Sequence, residues 1–224
     1  MQPAEEHSHQ PIRDANMTEQ SLSPAATRKR PKPGERRIQI LQVLAQMLER
    51  PESERITTAA LAARLDVSEA ALYRHFASKA QMFEALIDFI ESSLFSLINQ
   101  ISEREPAGGG RAARIVVMVL QFGEKNPGMT RVMVGDALVY EHERLQQRMT
   151  LLFDKLEAAL RQCLRDGTPE SAVALTPERD AQVRASVLAA FVAGRLQRFA
   201  RSDFKRSPLE HLDESLKLLS PPAV

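Results

Sequence analysis

Two short amphipathic segments joined by a two-residue turn, ITTAALAARLDVSEAALYRHFASK from Ile56 to Lys79, constrain this chain more than any other feature. Thr57 or Thr58 can cap the first helix, whose buried face is Leu61, Ala62 and Leu65. Asp66 and Val67 make the turn, and Ser68 caps a second helix in which Leu72 and Phe76, four apart, point inward. Glu69, Ala70, Tyr73 and Arg74 are left facing out. A methyl, a phenol and a cation beside hydroxyls are groups that base edges and phosphates can use.

The order T-x-x-LA-x-x-L-x-V-S-x-x-x-LY-x-HF-x-x-K resembles the helix-turn-helix of the TetR regulator family. The pattern is carried by Leu61, Ala62, Val67, Ser68, Leu72, Tyr73, His75, Phe76 and Lys79. A plain helical hairpin needs no fixed Tyr-x-His-Phe and no lysine three residues later. Asp66 stands where that family usually has glycine, a position that often needs positive φ, and Asp is among the residues that tolerate it. The resemblance implies an all-α, TetR-like fold: an N-terminal helix-turn-helix head on a C-terminal helical dimerisation body. Its DNA-binding residues would be Thr57, Thr58, Ser68, Glu69, Ala70, Tyr73, Arg74, His75 and Lys79. Tyr73, His75 and Lys79 are expected on phosphates, with Glu69, Ala70 and Arg74 nearest the base edges.

The chain has 224 residues and a net charge of +1, which suits a nucleic-acid binder poorly until the charge is divided along it. Lys and Arg against Asp and Glu number 1 and 4 over residues 1–27, 11 and 6 over 28–79, and 18 and 19 over 80–224. The positive charge is therefore concentrated on the head. Arg28, Lys29, Arg30, Lys32, Arg36 and Arg37 run into the first helix, where they can reach phosphates, although charge alone carries no sequence specificity.

The domains expected are a disordered, basic-ended extension over 1–33, a DNA-binding head over 34–80, and a dimerisation and partner-binding body over 81–224. His7 and His9 have no cysteine and no third ligand nearby, so no metal is expected, and no other cofactor. The first helix is expected from Gly34 to Arg50, with Ile38, Leu41, Ala45 and Leu48 inward and Pro51 as its stop. A long helix follows from Ser78 to Arg104, with a main stripe of Phe83, Leu86, Ile87, Ile90, Leu94, Ile98 and Ile101. Met82, Phe89 and Leu97 form a second stripe beyond the needs of a helix packed on one side. Pro106 and Gly108-Gly109-Gly110 read as a mobile loop, not a phosphate-binding loop, because no strand, Lys or Ser/Thr of that motif accompanies them.

Further helices are expected near Arg111–Phe122, Gly128–Val139, Glu141–Arg165, Pro177–Arg201 and Leu209–Leu219. No run alternates like a strand. The helix of Val183, Val187, Leu188, Phe191, Leu196 and Phe199, interleaved with small residues such as Ala190 and Gly194, is apolar around most of its circumference. It therefore wants cover on two sides, which a twofold partner would give through this helix and the helix over Leu209–Leu219, and two heads would read half-sites in successive major grooves. The lone Cys163 argues for a buried thiol and a reducing compartment. With no signal-peptide pattern and no membrane-length apolar run, a cytoplasmic protein is expected. His75, His142 and His211 are far apart and no nucleophile elbow occurs, so no enzyme is expected.

The body sharpens the resemblance. IDFIESSL (Ile87 to Leu94), FGEKNPGMTRV (Phe122 to Val132), ALVYEHERLQQRM (Ala137 to Met149) and RFARSDFKRSP (Arg198 to Pro208) are similar to the nucleoid occlusion branch of TetR-type proteins. That similarity implies a homodimer, possible in higher order on double-stranded DNA, that sits on the nucleoid and antagonises polymers of the division protein FtsZ. The FtsZ-binding surface it implies is Phe89, Met118, Gln121, Lys125 and Asn126, with Gln121 and Leu97 replacing a small and a cationic residue of that branch. Read locally, Asn126-Pro127-Gly128 is equally a plain connector. The alternative function is a TetR-type repressor released from its operator by a small molecule, which would call for an apolar cavity of roughly several hundred cubic ångströms in the body with a few converging polar groups. A helical scaffold without DNA binding would leave Tyr73, His75 and Lys79 without a purpose.

Overall fold

The computed structural model describes residues 34–50, 56–167 and 176–219, which form helices and the short connections between them, with no strand among them. The basic run Arg28 to Lys32, His7, His9, Pro51 and the extension over 1–33 lie outside the described residues. The helices are α1 (Glu35–Leu48), α2 (Thr58–Arg64), α3 (Glu69–Tyr73), α4 (Lys79–Arg104), α5 (Gly109–Lys125), α6 (Pro127–Met133), α7 (Glu143–Asp166), α8 (Pro177–Arg201) and α9 (Leu212–Leu219), with one 3₁₀ turn at Asp136–Leu138. No described helix is long and apolar enough to cross a membrane.

Local chemistry sets the boundaries. Thr57, Ser68, Ser78 and Thr176 each accept a backbone N–H three residues on, capping α2, α3, α4 and α8. Asp66 takes φ 54°, the left-handed conformation required at the α2–α3 turn. The helix expected over Gly128–Val139 is instead α6 plus the 3₁₀ turn, because Gly135 at φ 78° breaks it and its carbonyl accepts from Gln146 Nε2 at 3.0 Å. The glycine triplet also differs from the loop expected: Gly109 and Gly110 open α5. Gly108, at φ 123°, packs against Gly167 and gives its N–H to Cys163 O at 3.0 Å. The Cys163 thiol donates to Gly108 O at 3.4 Å, and burial pushes its pKa up.

In α1 the buried residues are Ile40, Leu44, Ala45 and Leu48, while Ile38 is 58% exposed. Ala45 and Leu48 are buried and Leu41 half-buried as read, but Ile40 and Leu44 complete the inward stripe in place of Ile38. The long helix α4 buries Phe83, Leu86, Ile87, Ile90, Leu94 and Ile98 as expected. Met82 is fully buried as well, so of the second stripe only Phe89 and Leu97 reach the surface.

The head sits on the body through α6. A Cβ on Gly128 would lie 2.0 Å from Ala45 O of α1, so glycine alone allows the two helices to touch. Arg131, beside it, reaches the orphan carbonyls at the end of α1, donating to Arg50 O at 3.3 Å and Leu48 O at 3.5 Å, and pairs with Asp136 at 2.8 Å. On the other side α4 and α7 run in the same direction under an ion ladder: Glu84 to Arg144 at 2.6 Å, Asp88 to Arg148 at 2.7 Å, and Glu91 to both Arg148 at 3.2 Å and Lys155. The Lys155 hydrogen bond, opposed by desolvation and helped by Arg148, holds the Glu91 carboxyl below the usual carboxylate range.

Helices α7 and α8 pack antiparallel, with Gln182 bonded to Arg161 at 3.0 Å and to Glu157 at 2.9 Å. Their outer faces remain apolar: Leu151 on α7 and Val183, Val187, Ala190 and Gly194 on α8 are exposed. By contrast α9 turns Leu212 and Leu216 inward, and it begins at Leu212 rather than Leu209, after His211 takes φ 53°.

Candidate nucleic-acid interface

The head is clamped so that the first turns of α3 stand proud. Leu61, Leu72 and Phe76 fill its core. The Arg37 guanidinium lies 4.1 Å from the Phe76 ring centroid and donates to His75 O, so this arginine braces α1 against the end of α3 rather than extending the basic arm. Arg36 donates to Gln39 at 2.8 Å. Of the residues expected to meet DNA, Thr57, Ser68, Glu69, Ala70, Tyr73 and Arg74 are exposed, and Thr58 and His75 are half-buried.

These side chains form a small polar cluster across the two helices. Thr58 Oγ1 donates to Glu69 Oε2 at 2.6 Å, and Tyr73 OH donates to Thr58 Oγ1 at 3.4 Å. Lys79, expected on a phosphate, also has a partner within the chain. Its ammonium pairs with Glu141, ahead of α7, and lies 5.7 Å from the Phe83 ring centroid. Residue spacing in the head carries no signal for that partner, 62 residues downstream.

The second surface read from the sequence lies on the body. Phe89 is 49% exposed and Leu97 36% exposed on α4, Gln121 and Lys125 are exposed on α5, and Met118 and Asn126 are half-buried. Asn126 Nδ2 donates to Phe122 O at 2.7 Å, closing the last turn of α5 before Pro127 opens α6. The connector reading and the surface reading therefore fall on one residue. A depression of about 330 Å³ between α6, α7 and α8 is lined by Met133, Gln146, Met149, Phe153, Asp154 and Gln197 and opens to the surface.

A capped two-helix reader, a long connecting helix and an apolar α7–α8 face define a TetR-type helix-turn-helix protein. Residues 40–86 match the model of bacterial regulatory proteins of the tetR family, and residues 110–221 match the tetracyclin repressor-like C-terminal domain of SlmA-like proteins. The chain is 49% identical to the nucleoid occlusion factor SlmA of Shewanella frigidimarina over 179 residues, covering 80% of this chain and 90% of that one. It is 48% identical to the SlmA of Marinomonas sp. over 189 residues, covering 84% and 95%. The chain belongs to the SlmA family of TetR-type proteins. These relatives are named as regulators or occlusion factors, not enzymes. Among solved structures, the fatty acid degradation regulator FadR of Bacillus halodurans superposes with a TM-score of 0.69 at 14% identity, covering 86% of this chain and 98% of that one. AibR, solved with isovaleryl coenzyme A and operator DNA, gives 0.65 at 14%, covering 84% and 99%. At such identities these two share the fold.

Proposed function

We propose that this protein binds specific chromosomal sites as a homodimer in the cytoplasm and, while bound, disrupts FtsZ polymers so that division is held off over the nucleoid. The observation that carries the reading is the half-exposed Phe89, a large ring left in water on α4, the helix that packs on α5, in a chain related to SlmA proteins through its body as well as its head. Single exposed rings are ordinary on a surface, so the reading leans on Phe89 and Leu97 lying on one helix and on the relation to SlmA proteins. An FtsZ tail would use Phe89 and Met118 as floor, Gln121 and Asn126 as hydrogen-bonding wall, and Lys125 as rim cation.

The dimer would form on the outer face of α7 and α8, where Leu151, Val183 and Val187 are exposed; of the expected α9 contribution, Leu212 and Leu216 face their own body and Leu218 alone is exposed. The second reading, a ligand-released repressor, would use the depression of about 330 Å³ between α6, α7 and α8, where Met133, Met149 and Phe153 meet Gln146, Asp154 and Gln197. FtsZ polymers followed by light scattering, with the protein and with or without its DNA site, test the reading. Loss of polymer only when protein and site are both present is the expected result. Polymers that persist in the presence of the bound site would return the assignment to a ligand-responsive repressor.

A further inference from the structure

A surface meant to meet a polyanion carries an acid at its leading edge. Glu69 is the first residue of α3, exposed, and its Oε2 accepts from Thr58 Oγ1 at 2.6 Å. Thr58 in turn accepts from Tyr73 OH at 3.4 Å, so two hydroxyls on two helices point their protons along one line ending on the carboxylate. That line fixes the rotamer of a side chain otherwise free to swing. Among the described residues Glu69 has no further hydrogen bond and no ion pair, which leaves Oε1 with acceptor capacity and no donor.

A carboxylate carried close to phosphates is repelled over roughly a Debye length of about 10 Å, so it weakens binding to every sequence unless a base supplies a proton donor. In the major groove only cytosine N4 and adenine N6 donate. Guanine O6 and N7 and thymine O4 are acceptors and repel it, and adenine sets its N7 acceptor beside its donor. Cytosine alone offers a donor without an adjacent acceptor. We propose that Glu69 is a base-selecting residue, held by Thr58 and Tyr73, that takes the amino group of a cytosine and rejects guanine and thymine at one position of each half-site. The inference rests on the reading of α3 as the helix that enters the groove.

Selection from duplexes with a randomised half-site, using the full chain and sequencing the bound fraction, tests it. Wild type should enrich cytosine at one position by on the order of 5- to 150-fold, the range of about 1 to 3 kcal/mol for a good base contact. Glu69→Gln should move that position towards adenine, whose N6 and N7 match a carboxamide. Glu69→Ala should flatten the preference there while binding unselected DNA more tightly than wild type. Thr58→Val should weaken the preference without changing its identity, with thermal unfolding of each variant showing a folded head. If wild type and Glu69→Ala select the same bases at every position, the carboxylate is only a clamp between α2 and α3 and the proposal is overturned. A wild type that enriches no sequence would instead overturn the reading of α3 on which it rests.

Discussion

The Lys79 ammonium, on the first turn of α4, pairs with the Glu141 carboxylate just ahead of α7, joining the end of the DNA-reading head to the body. Both groups are largely covered, with 19% and 9% of their side-chain surfaces exposed. A phosphate approaching the head would compete with Glu141 for the same cation. Glu141→Gln should therefore release Lys79 and tighten binding to all DNA sequences alike. The slope of log affinity against log salt should steepen by roughly 1, as one more phosphate is neutralised. Adding Lys79→Ala should return the slope to that of wild type. Anisotropy over a salt series measures it, and an unchanged slope in Glu141→Gln would mean that Lys79 faces no phosphate.

The joint between α1 and α6 is the second place where head meets body. A methyl on Gly128 would stand 2.0 Å from Ala45 O and 2.9 Å from Ala45 C, both backbone atoms. The same change at Gly123 would meet the end of a flexible side chain, Leu196 Cδ2, at 2.4 Å. Gly128→Ala should thus be the costlier, by about 1 to 3 kcal/mol of overpacking strain. That corresponds to a fall of several degrees in Tm, at about 2 to 4 °C per kcal/mol for a chain of this size. Amide exchange in α1 should rise in Gly128→Ala and stay unchanged in Gly123→Ala. Equal loss in the two variants would show that the α1–α6 contact is not tight.

The head was legible because each of its constraints is local. Thr57 and Ser68 cap within three residues, Leu72 and Phe76 repeat within one turn, and Asp66 sits in a turn that few residue types can make. What escaped the sequence depends on distant partners. Nothing local to Lys79 signals the Glu141 partner that the body brings to it. Arg37 looks like part of a basic arm until Phe76 and the His75 carbonyl are seen beneath it. Met82 shares the spacing of an exposed stripe with Phe89 and Leu97, yet the head covers its end of α4. On the body, the residues of the expected partner surface are found exposed or half-buried, but periodicity alone could not say that Gly109 and Gly110 belong to a helix. That follows from the close approach of Gly108 to Gly167.

The ladder between α4 and α7 gives stability a pH dependence with a definite sign. Glu91 has its folded-state pKa lowered, first by the Lys155 hydrogen bond and, against desolvation, by Arg148. Its contribution is therefore present above the unfolded glutamate value of about 4.3 and is lost as pH falls through the lower folded value. Glu91→Gln should cost about 0.2 to 1 kcal/mol at pH 7, the range for partly exposed pairs. The difference from wild type should vanish in acid below both values and shrink in 1 M salt. Urea melts of both proteins across pH measure it. A difference that persists in acid would assign the effect to packing.

The apolar outer face of α7 and α8 makes dimerisation sensitive to one charge. Ala190 is exposed on α8 between Val187 and Gly194, and no atom lies within 4 Å of where a Cβ on Gly194 would be. A second copy packed there would bury Ala190→Glu without a counterion, at a cost of several kcal/mol. Sedimentation should show monomers for Ala190→Glu at concentrations where wild type is dimeric, and DNA affinity should fall because two half-sites are no longer read together. A dimer that survives the change would place the interface elsewhere.

Phe89 and Lys125 divide the proposed FtsZ surface into an anchor and a rim. Phe89 is half-exposed on α4, and Lys125 is exposed at the last turn of α5 without a hydrogen bond or ion pair among the described residues. An aromatic anchor at an interface centre contributes about 2 kcal/mol or more, while an exposed rim charge contributes roughly 0.2 to 1 and acts more on the rate of association. Phe89→Ala should therefore weaken FtsZ binding by about 30-fold or more, and Lys125→Ala by about fivefold or less. The Lys125→Ala loss should shrink as salt is raised, and the Phe89→Ala loss should not. Neither residue lies in α2 or α3, so both variants should keep wild-type affinity for DNA. With DNA present, polymer disruption by light scattering should fail most completely in Phe89→Ala. Truncating a half-exposed ring removes little core packing, so a folded Phe89→Ala protein that still breaks polymers as wild type does would move the partner surface off α4.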